Sequence, residues 1–594
     1  MIYEELSKRP AASNSGDSVL KTLLTGLPSA RLPLSSRLTA LTNVVLAVFT
    51  LDFLLRGLLL YTSEEVALSR IGYVSPTTAS LLVREPDPAQ LPLTVYYQHA
   101  RDPSWVEEGI IYKLDNTTDF TTSVVLKDLK PSSQYRYALS NNRTGTFKTA
   151  PLPGSEPAQG LTFLTSSCIK PNFPYNPLSH PLRLPGIEQM AETVAKLPPV
   201  LRPAFMLFLG DFIYIDVPIR FGSSIPHYRS EYRRVYSSPS WTHNDESPAI
   251  DLPWLHTLDD HEIENDWSHG NTTEPYPAAA EPYIHYHVSV NPPIPATPFA
   301  KPEDTTYFSF INGPASFFMV DTRTYRTEPT QPNSTILGSA QLQSLLAYLA
   351  RPEPAEVRWK IIASSVPFTK NWHVGTTDTW GGFLYERRTV FEAMWRAERE
   401  LGVRIVLLSG DRHEFAATRF PDPTLDVKQD EHYPNTAGSG LHEFSVGPLS
   451  MFYLPVRSYW QSDHEDITVK YIPDGNFKYG LINIKTAEEP IGTTRSGGNR
   501  VKIPSSVLTY SLYVDGEVAW EYRLAVPLRG TATARHPRLP PGKVVRDERG
   551  IEGWDVVVQM VVGRLGEIGG LVKRGVEDWY LDLVDRVRRV ERVD

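Results

Sequence analysis

Cysteine is almost missing: Cys168 is the single one in 594 residues, so no disulfide can form within the chain. An excess of basic charge is missing too. With 59 Lys and Arg against 68 Asp and Glu, the formal net charge is -9, and nucleic acid is not expected as a partner, because a polyanion needs a basic face. Internal repeats and long low-complexity tracts are absent, which argues against a repeat architecture. No small-residue cleavage motif marks a removable signal peptide. What is there is 41% hydrophobic, 11% aromatic and 21% charged. That is a globular composition, with length for a large core and two to three domains.

Residues 1–37 are rich in Ser, Pro and Leu and read as a tail. The stretch 38–61, LTALTNVVLAVFTLDFLLRGLLLY, has 24 residues, enough to cross a bilayer as a helix. It carries Asp52 and Arg56, four apart and able to pair on one helical face, although charges are costly in lipid. Lys8, Arg9, Lys21, Arg31 and Arg37 precede it, and Glu64 and Glu65 follow. The positive-inside rule then keeps the N-terminus cytosolic and places the rest in a secretory lumen or outside the cell. Asn-x-Ser/Thr acceptors at Asn116, Asn142, Asn271 and Asn333 agree with that side. The alternative is an amphipathic or buried helix packed on the protein itself.

Residues 70–150 alternate short apolar strands with Pro-, Asn- and Ser-rich turns, the pattern of a small β-sandwich. Leu126 to Tyr137, LKDLKPSSQYRY, resembles the tyrosine corner of fibronectin-III-like domains. PLPGSEP at 151–157 reads as a linker. From 158 to 525 apolar strands alternate with helical segments, the clearest helix being 338–349, with Leu342, Leu345, Leu346 and Leu349 on one face. An α/β layered core is expected. Residues 526–594 read as a basic, Pro-rich linker to about Val545 and then an amphipathic helix, with Leu565, Ile568, Val572, Val576, Trp579, Leu583, Val587 and Val590 on one face.

The chemistry is written at strand ends. The run Leu207–Leu209 ends in Gly210 and discharges Asp211 and Tyr214. Ile405–Ser409 runs into Asp411, Arg412, His413 and Glu414, and Trp254–Leu258 into the acidic block Asp259 to Asn265. Three apolar strands that each deliver Asp with His, Asn or Tyr predict a polynuclear metal site. Such a site hydrolyses phosphate esters, because paired cations neutralise the phosphoryl oxygens and activate a water. Asp211 is the expected bridging carboxylate. Tyr214 as a phenolate favours Fe(III); the alternative is an aromatic filling the junction. Cys168, ending the first strand of this region, is a metal ligand or a small buried hydrophobe. Tyr228, Tyr232 and Tyr236 recur every four residues and predict a helix packed by its aromatic face. His243, His256, His269, His285 and His287 flank the acidic block and are expected in loops or behind the ligands. His442 and Glu443 read as another strand-end contact.

Six blocks in order carry a resemblance: Ser167-Cys168, Gly210-Asp-Phe-Ile-Tyr214, Asp259-Asp-His-Glu-Ile-Glu-Asn265, Asp321-Thr-Arg-Thr-Tyr325, Ser409-Gly-Asp-Arg-His-Glu414 and Glu443-Phe-Ser-Val-Gly-Pro448. Over roughly residues 70–525 the chain resembles the alkaline phosphatase D (PhoD-like) family. These are calcineurin-like metallophosphoesterases, related in their active sites to purple acid phosphatases. The resemblance implies a four-layer α+β sandwich behind a fibronectin-III-like β-sandwich. It implies a phosphomonoesterase or phosphodiesterase with one iron and calcium ions, acting through metal-activated water.

By position, Cys168, Asp211 and Tyr214 would hold iron, while Asp260, Asn265, Asp411 and His413 would be further ligands or phosphate contacts. The Asp-Asp-His-Glu block stands where other metallophosphoesterases have Gly-Asn-His-Glu, so Asn265 would bind phosphate while His261 orients the site. Arg323 would hold a substrate oxygen or pair with Asp321 or another neighbour; Arg412 carries the same pair of readings.

Three features depart from the family pattern. The 43-residue step from Cys168 to Asp211 holds the Pro-rich PNFPYNPLSHPLRLPG, an apolar N-terminus precedes the matching blocks, and a helical C-terminal tail follows them. A membrane anchor would favour a lipid headgroup or lipid-linked phosphate over a soluble ester. A phospholipase-D-like phosphodiesterase and a non-catalytic tethered binding protein are the rival functions. An oxidative iron enzyme lacks its two-His-one-carboxylate spacing here.

Overall fold

The computed structural model describes residues 26, 33–243, 247–248, 251–294, 305–424, 440–453, 457–490, 502–528 and 542–548. Compact packing groups 1–545 into one unit and 546–594 into a second, of which only 546–548 are described. The expected amphipathic helix around 565–590 lies outside the described residues.

Helix α1 (Pro33–Leu60) holds the apolar stretch and starts five residues before the sequence-based boundary. Only 6% of its most apolar window is buried, and its 28 residues exceed the ~20 needed to cross a bilayer. It is followed by β1 (Leu68–Val74), β2 (Ala79–Arg84), β3 (Leu93–His99), β4 (Val106–Ile111), β5 (Thr121–Leu126), β6 (Gln134–Leu139) and β7 (Thr144–Lys148). These form two sheets, β1-β2-β5 and β4-β3-β6-β7, closed on a core that includes Leu81, Val83, Val95, Leu126, Tyr137 and Phe147. Tyr135 makes the corner, since its hydroxyl accepts the Lys130 N–H at 2.8 Å. Strands β1 and β4 escape a hydrophobic reading. One mixes Ser, Arg and Gly with its apolar residues, and the other is largely exposed along its length.

The remaining elements are β8 (Leu161–Ser166), α2 (Pro185–Lys196), β9 (Met206–Phe208), α3 (Ile225–Tyr236), the two-residue strands β10 (Thr242–His243) and β11 (Ser247–Pro248), β12 (Trp254–His256) and α4 (Tyr276–Tyr286). Then come β13 (Phe308–Asn312), β14 (Ala315–Met319), α5 (Gly338–Ala350), β15 (Trp359–Ser364), α6 (Leu384–Leu401), β16 (Arg404–Ser409), β17 (Phe415–Pro421), β18 (Gly440–Ser445), β19 (Ile467–Ile472), β20 (Lys478–Pro490), β21 (Lys502–Val514), β22 (Glu517–Pro527) and β23 (Lys543–Asp547). The last two put strand at both ends of the stretch expected to be a linker.

Two seven-stranded sheets result, ordered β12-β9-β8-β20-β21-β22-β23 and β13-β14-β15-β16-β18-β17-β19. Side chains alternate across each strand, which assigns them to layers. Phe163, Leu207, Phe317, Ile361 and Val406 point into the core between the sheets. Their neighbours Leu164, Met206 and Phe208 meet α2, α3 and α4 on one outer face, while Phe318, Ile362, Ile405 and Leu407 meet α5 and α6 on the other. The order helices, sheet, sheet, helices is the expected four-layer α+β sandwich. Helix α3 does bury Tyr228 and Tyr232.

Candidate metal centre

Strands β12, β9 and β8 run parallel in one sheet, and β15 and β16 run parallel in the other, so their C-terminal ends gather along one edge of the sandwich. Each chain turns sharply on leaving its strand. Cys168, Asp211 and Asp411 adopt φ of +63°, +58° and +69°, a left-handed backbone that costs a non-glycine residue energy and clusters at functional sites. Gly210, at φ +95°, could carry no Cβ, since one would stand 2.4 Å from Asp259 Cβ.

The turns bring unlike donors together. Ligand atoms of Cys168, Asp211 and His413 lie within 4.8 Å of one another, as do those of Asp211, Asp260 and His261 and those of Asp259, Asp260 and Asp411. Asp211 and Asp260 therefore link three overlapping groups into one centre. Tyr214 joins it: its hydroxyl donates to Asp211 Oδ2 at 2.9 Å and lies 3.0 Å from His413 Nε2. Cys168 Sγ is 3.3 Å from the same Asp211 oxygen.

The residues fit a cation. Asp211 Oδ1 and Asp259 Oδ2 are buried without a hydrogen-bond partner, and an unpaired buried carboxylate oxygen is costly unless something positive faces it. A thiol, a phenol, an imidazole and carboxylates on one spot are a donor set that suits metal cations. Electrostatics say the same. Burial pushes the carboxyl of Asp211 well up, and the neighbouring acids Asp259, Asp260 and Glu262 add to it against His261. Burial likewise lifts Asp259 to about 8 and Asp411 to about 6. The Cys168 thiol and Tyr214 phenol are raised by burial and then by Asp211. Asp260 behaves differently: against burial, Arg323 and His261 hold it below the usual carboxylate range. Burial takes the His413 imidazole down to about 3, which leaves it neutral and able to ligate.

Behind these donors stands a frame of which the sequence did not single out Asp216 and Asp378. Glu262 accepts the backbone N–H groups of Asp211 (3.1 Å), Phe212 (2.5 Å) and Asp259 (2.9 Å), tying two strand ends together. Asp216 receives His261 Nδ1 at 2.7 Å and the Asn265 N–H at 2.8 Å. Asp378 takes both terminal nitrogens of Arg323, at 2.6 and 2.8 Å. Arg323 is fully buried and also donates to Asp259 Oδ1 at 2.6 Å and to the Trp267 carbonyl. Its fork is thus bound by protein acceptors other than the Asp321 side chain. Arg412 reaches the carbonyls of Val374 and Gly375 and lies 2.9 Å from Asp411 Oδ2. Asn265 is exposed.

Other expectations meet different outcomes. His442 and Glu443 lie inside β18 rather than at its end. Glu443 is a buried clamp that accepts from Phe368, Thr369 and Ser409. His256 belongs to β12 and stacks on His287 at 3.7 Å, so both are core imidazoles rather than loop groups. Burial holds both rings well below their ordinary value. Asp216, two residues beyond Tyr214, follows the strand-end pattern and could have been found; Asp378 sits in a loop with no such signal.

Comparisons with known proteins agree with this geometry. Alkaline phosphatase D of Bacillus subtilis (strain 168) is 26% identical over 328 residues, 48% of this chain and 52% of that protein, so the match spans about half the length of the relative. A solved structure of PhoD superposes with a TM-score of 0.55 at 17% identity, over 83% of this chain and 94% of that one. The family model for PhoD-like phosphatases matches residues 163–493, a span that runs from β8 through β20 and includes every donor named above. With more than half of its length matched, the chain belongs to the PhoD-like phosphatase family.

Proposed function

We propose that the chain is a phosphoric ester hydrolase that cleaves phosphate mono- or diesters with metal-activated water. The observation that carries this reading is the pair of orphaned carboxylate oxygens, Asp211 Oδ1 and Asp259 Oδ2, beside thiol, phenol and imidazole donors. Bound cations supply neutralisation of the phosphoryl oxygens and a water of lowered pKa. Cys168, Asp211 and Tyr214 would hold Fe3+, Asp211 being the donor common to two of the clustered groups. His413 completes the metal set on the Cys168 and Tyr214 side, where its ring lies 3.0 Å from the Tyr214 hydroxyl, while Asp260 and Asp411, joined by Asp259, form the carboxylate-rich side that would take Ca2+. Asn265 contacts the phosphate, and His261, braced by Asp216, sets the position of Asp260 and Tyr214. Arg323 holds Asp259 and Asp260 in place rather than reaching the substrate, because its N–H groups face protein acceptors.

Helix α1 anchors the protein in a membrane, with the catalytic unit in a secretory lumen or outside the cell. The exposure of all four Asn-x-Ser/Thr asparagines, Asn116, Asn142, Asn271 and Asn333, supports that side. The test is hydrolysis of a nitrophenyl phosphate mono- and diester by the full chain in detergent. Activity removed by chelator and restored by iron with calcium is expected. Failure to cleave either ester when metals are loaded would favour the tethered binding protein.

A further inference from the structure

The charges that make α1 a poor membrane span do not have to enter lipid. The Tyr175 hydroxyl donates to Asp52 Oδ2 at 2.8 Å, and Arg56 donates to the carbonyls of Pro177 and Ser179 at 2.7 and 2.9 Å. Arg56 also pairs with Asp52 at 3.4 Å. Every α1 side chain from Ala40 to Leu51 is exposed, whereas 52–58 are partly or fully buried. Gly57 lets the helix approach α3 closely: a Cβ there would stand 2.9 Å from Arg234 Nη2. The apolar part of the helix thus leaves directly from the catalytic unit, with no linker between them.

The place it leaves from is the wall of the metal centre. The segment that grips Asp52 and Arg56 is the Pro-rich stretch beginning shortly after Cys168. Ring contacts run from Phe53 to Phe173 (5.2 Å), from Phe173 to Phe452 (5.8 Å) and from Phe452 to His413 (5.8 Å). Between α1 and loop 217–222 lies a cavity of about 90 Å³ whose lining includes Phe53, Leu58, Ile219, Phe221 and Tyr214. The lining also holds Lys170 and Arg234, which pair with Glu231 at 3.5 and 3.8 Å. Ile219 and Phe221 are 52% and 53% exposed, and Leu178, on the gripping segment, is 95% exposed. Large apolar groups left open beside an apolar helix mark a surface that meets lipid.

We propose that this cavity is a substrate subsite, and that the substrate class is an amphiphilic phosphoester residing in the membrane. Its apolar part lies against Phe53, Leu58, Ile219 and Phe221, and Tyr214, which lines the cavity and donates to Asp211, joins the subsite to the metal centre. The inference rests on the phosphoesterase reading. It gives the Pro-rich stretch between Cys168 and Asp211 a role: through Tyr175, Pro177 and Ser179 it holds the helix beside the site.

The full chain, loaded with iron and calcium in neutral detergent micelles, is assayed on two nitrophenyl phosphodiesters, one with a methyl and one with a dodecyl group. The dodecyl ester is expected to show a KM at least about ten-fold lower, because burial of several methylenes strengthens binding by that much or more. Micelle partitioning alone could mimic this, so the I219S/F221S variant, altered at two exposed positions, is the deciding arm. It should bring the KM ratio to within about three-fold of unity, given the same scale of methylene burial. Equal KM values in the parent, or a ratio unchanged in the variant, would overturn the subsite. Hydrolysis of neither ester would overturn the phosphoesterase reading itself, and the subsite with it.

Discussion

Two aspartates in this molecule share burial, backbone and neighbours of the same kind, yet differ in what faces them. Asp119, where the β-sandwich meets α3 and α4, is 2% exposed with φ +51°; Asp211, at the metal centre, is 1% exposed with φ +58°. Each accepts a tyrosine hydroxyl, Tyr286 at 2.7 Å and Tyr214 at 2.9 Å. Asp119 also has Arg84 at 3.3 Å and Arg233 at 2.7 Å. Among the described residues no Arg or Lys pairs with Asp211, and its Oδ1 is an orphan. A buried carboxylate needs compensation. At Asp119 the chain supplies it; at Asp211 the chain leaves the position for a cation from outside.

Substitution at the two aspartates separates their roles. Asp211→Asn should lower kcat by about 10³-fold or more, since the charge that holds and shares the metal is lost, while thermal unfolding of the metal-free protein changes little. Steady-state kinetics with circular dichroism melting distinguishes the two effects. Asp119→Ala should do the reverse. Leaving Arg84 and Arg233 uncompensated costs about 3–5 kcal/mol of stability, measured by denaturant unfolding, with kcat per bound metal retained.

The tyrosines extend the contrast. Tyr286→Phe should cost about 1.5–3 kcal/mol, the worth of a hydrogen bond to a charged acceptor, and leave the metal's visible spectrum alone. Tyr214→Phe should abolish the visible charge-transfer band that a phenolate gives to Fe(III). The smallest effect concerns pH. Burial raises Asp259 and Glu262 to about 8, above the unfolded carboxylate range near 4. Between these values the native state of metal-free protein binds more protons than the unfolded state, so its stability falls as pH rises. Calorimetry of chelator-treated protein from about pH 5 to pH 8 should show a declining Tm. The metal-loaded protein should hold its Tm over the same window, because bound cations favour the ionised carboxylates.

The sequence exposed what periodicity and strand-end chemistry could carry. Leu207–Leu209 and Ile405–Ser409 are apolar runs that end in Gly and then Asp, and Asp211 and Asp411 stand where that pattern puts them. The layers followed from the same runs. Contacts between distant loops were not legible. Asp378 meets Arg323 across 55 residues and Glu262 meets Asp211 across 51, and neither sits in a motif that announces its partner. Arg323 stayed open to two readings, a substrate oxygen or a neighbouring acid, because Asp378, which binds its fork, was invisible. Asp52 and Arg56 looked like a fault in a membrane span because their hydrogen-bond partners, 121 to 123 residues away, lay in a segment that read only as Pro-rich. Strand β4 was missed because its side chains are largely exposed and carry little apolar pattern.

Elemental analysis of the full chain and of Asp211→Asn, purified side by side without added chelator, tests the central claim most directly. The account predicts about one iron per chain in the parent, as one set of anionic donors requires, and none in the variant. Equal iron in both, or none in the parent after reconstitution with iron and calcium, would contradict it.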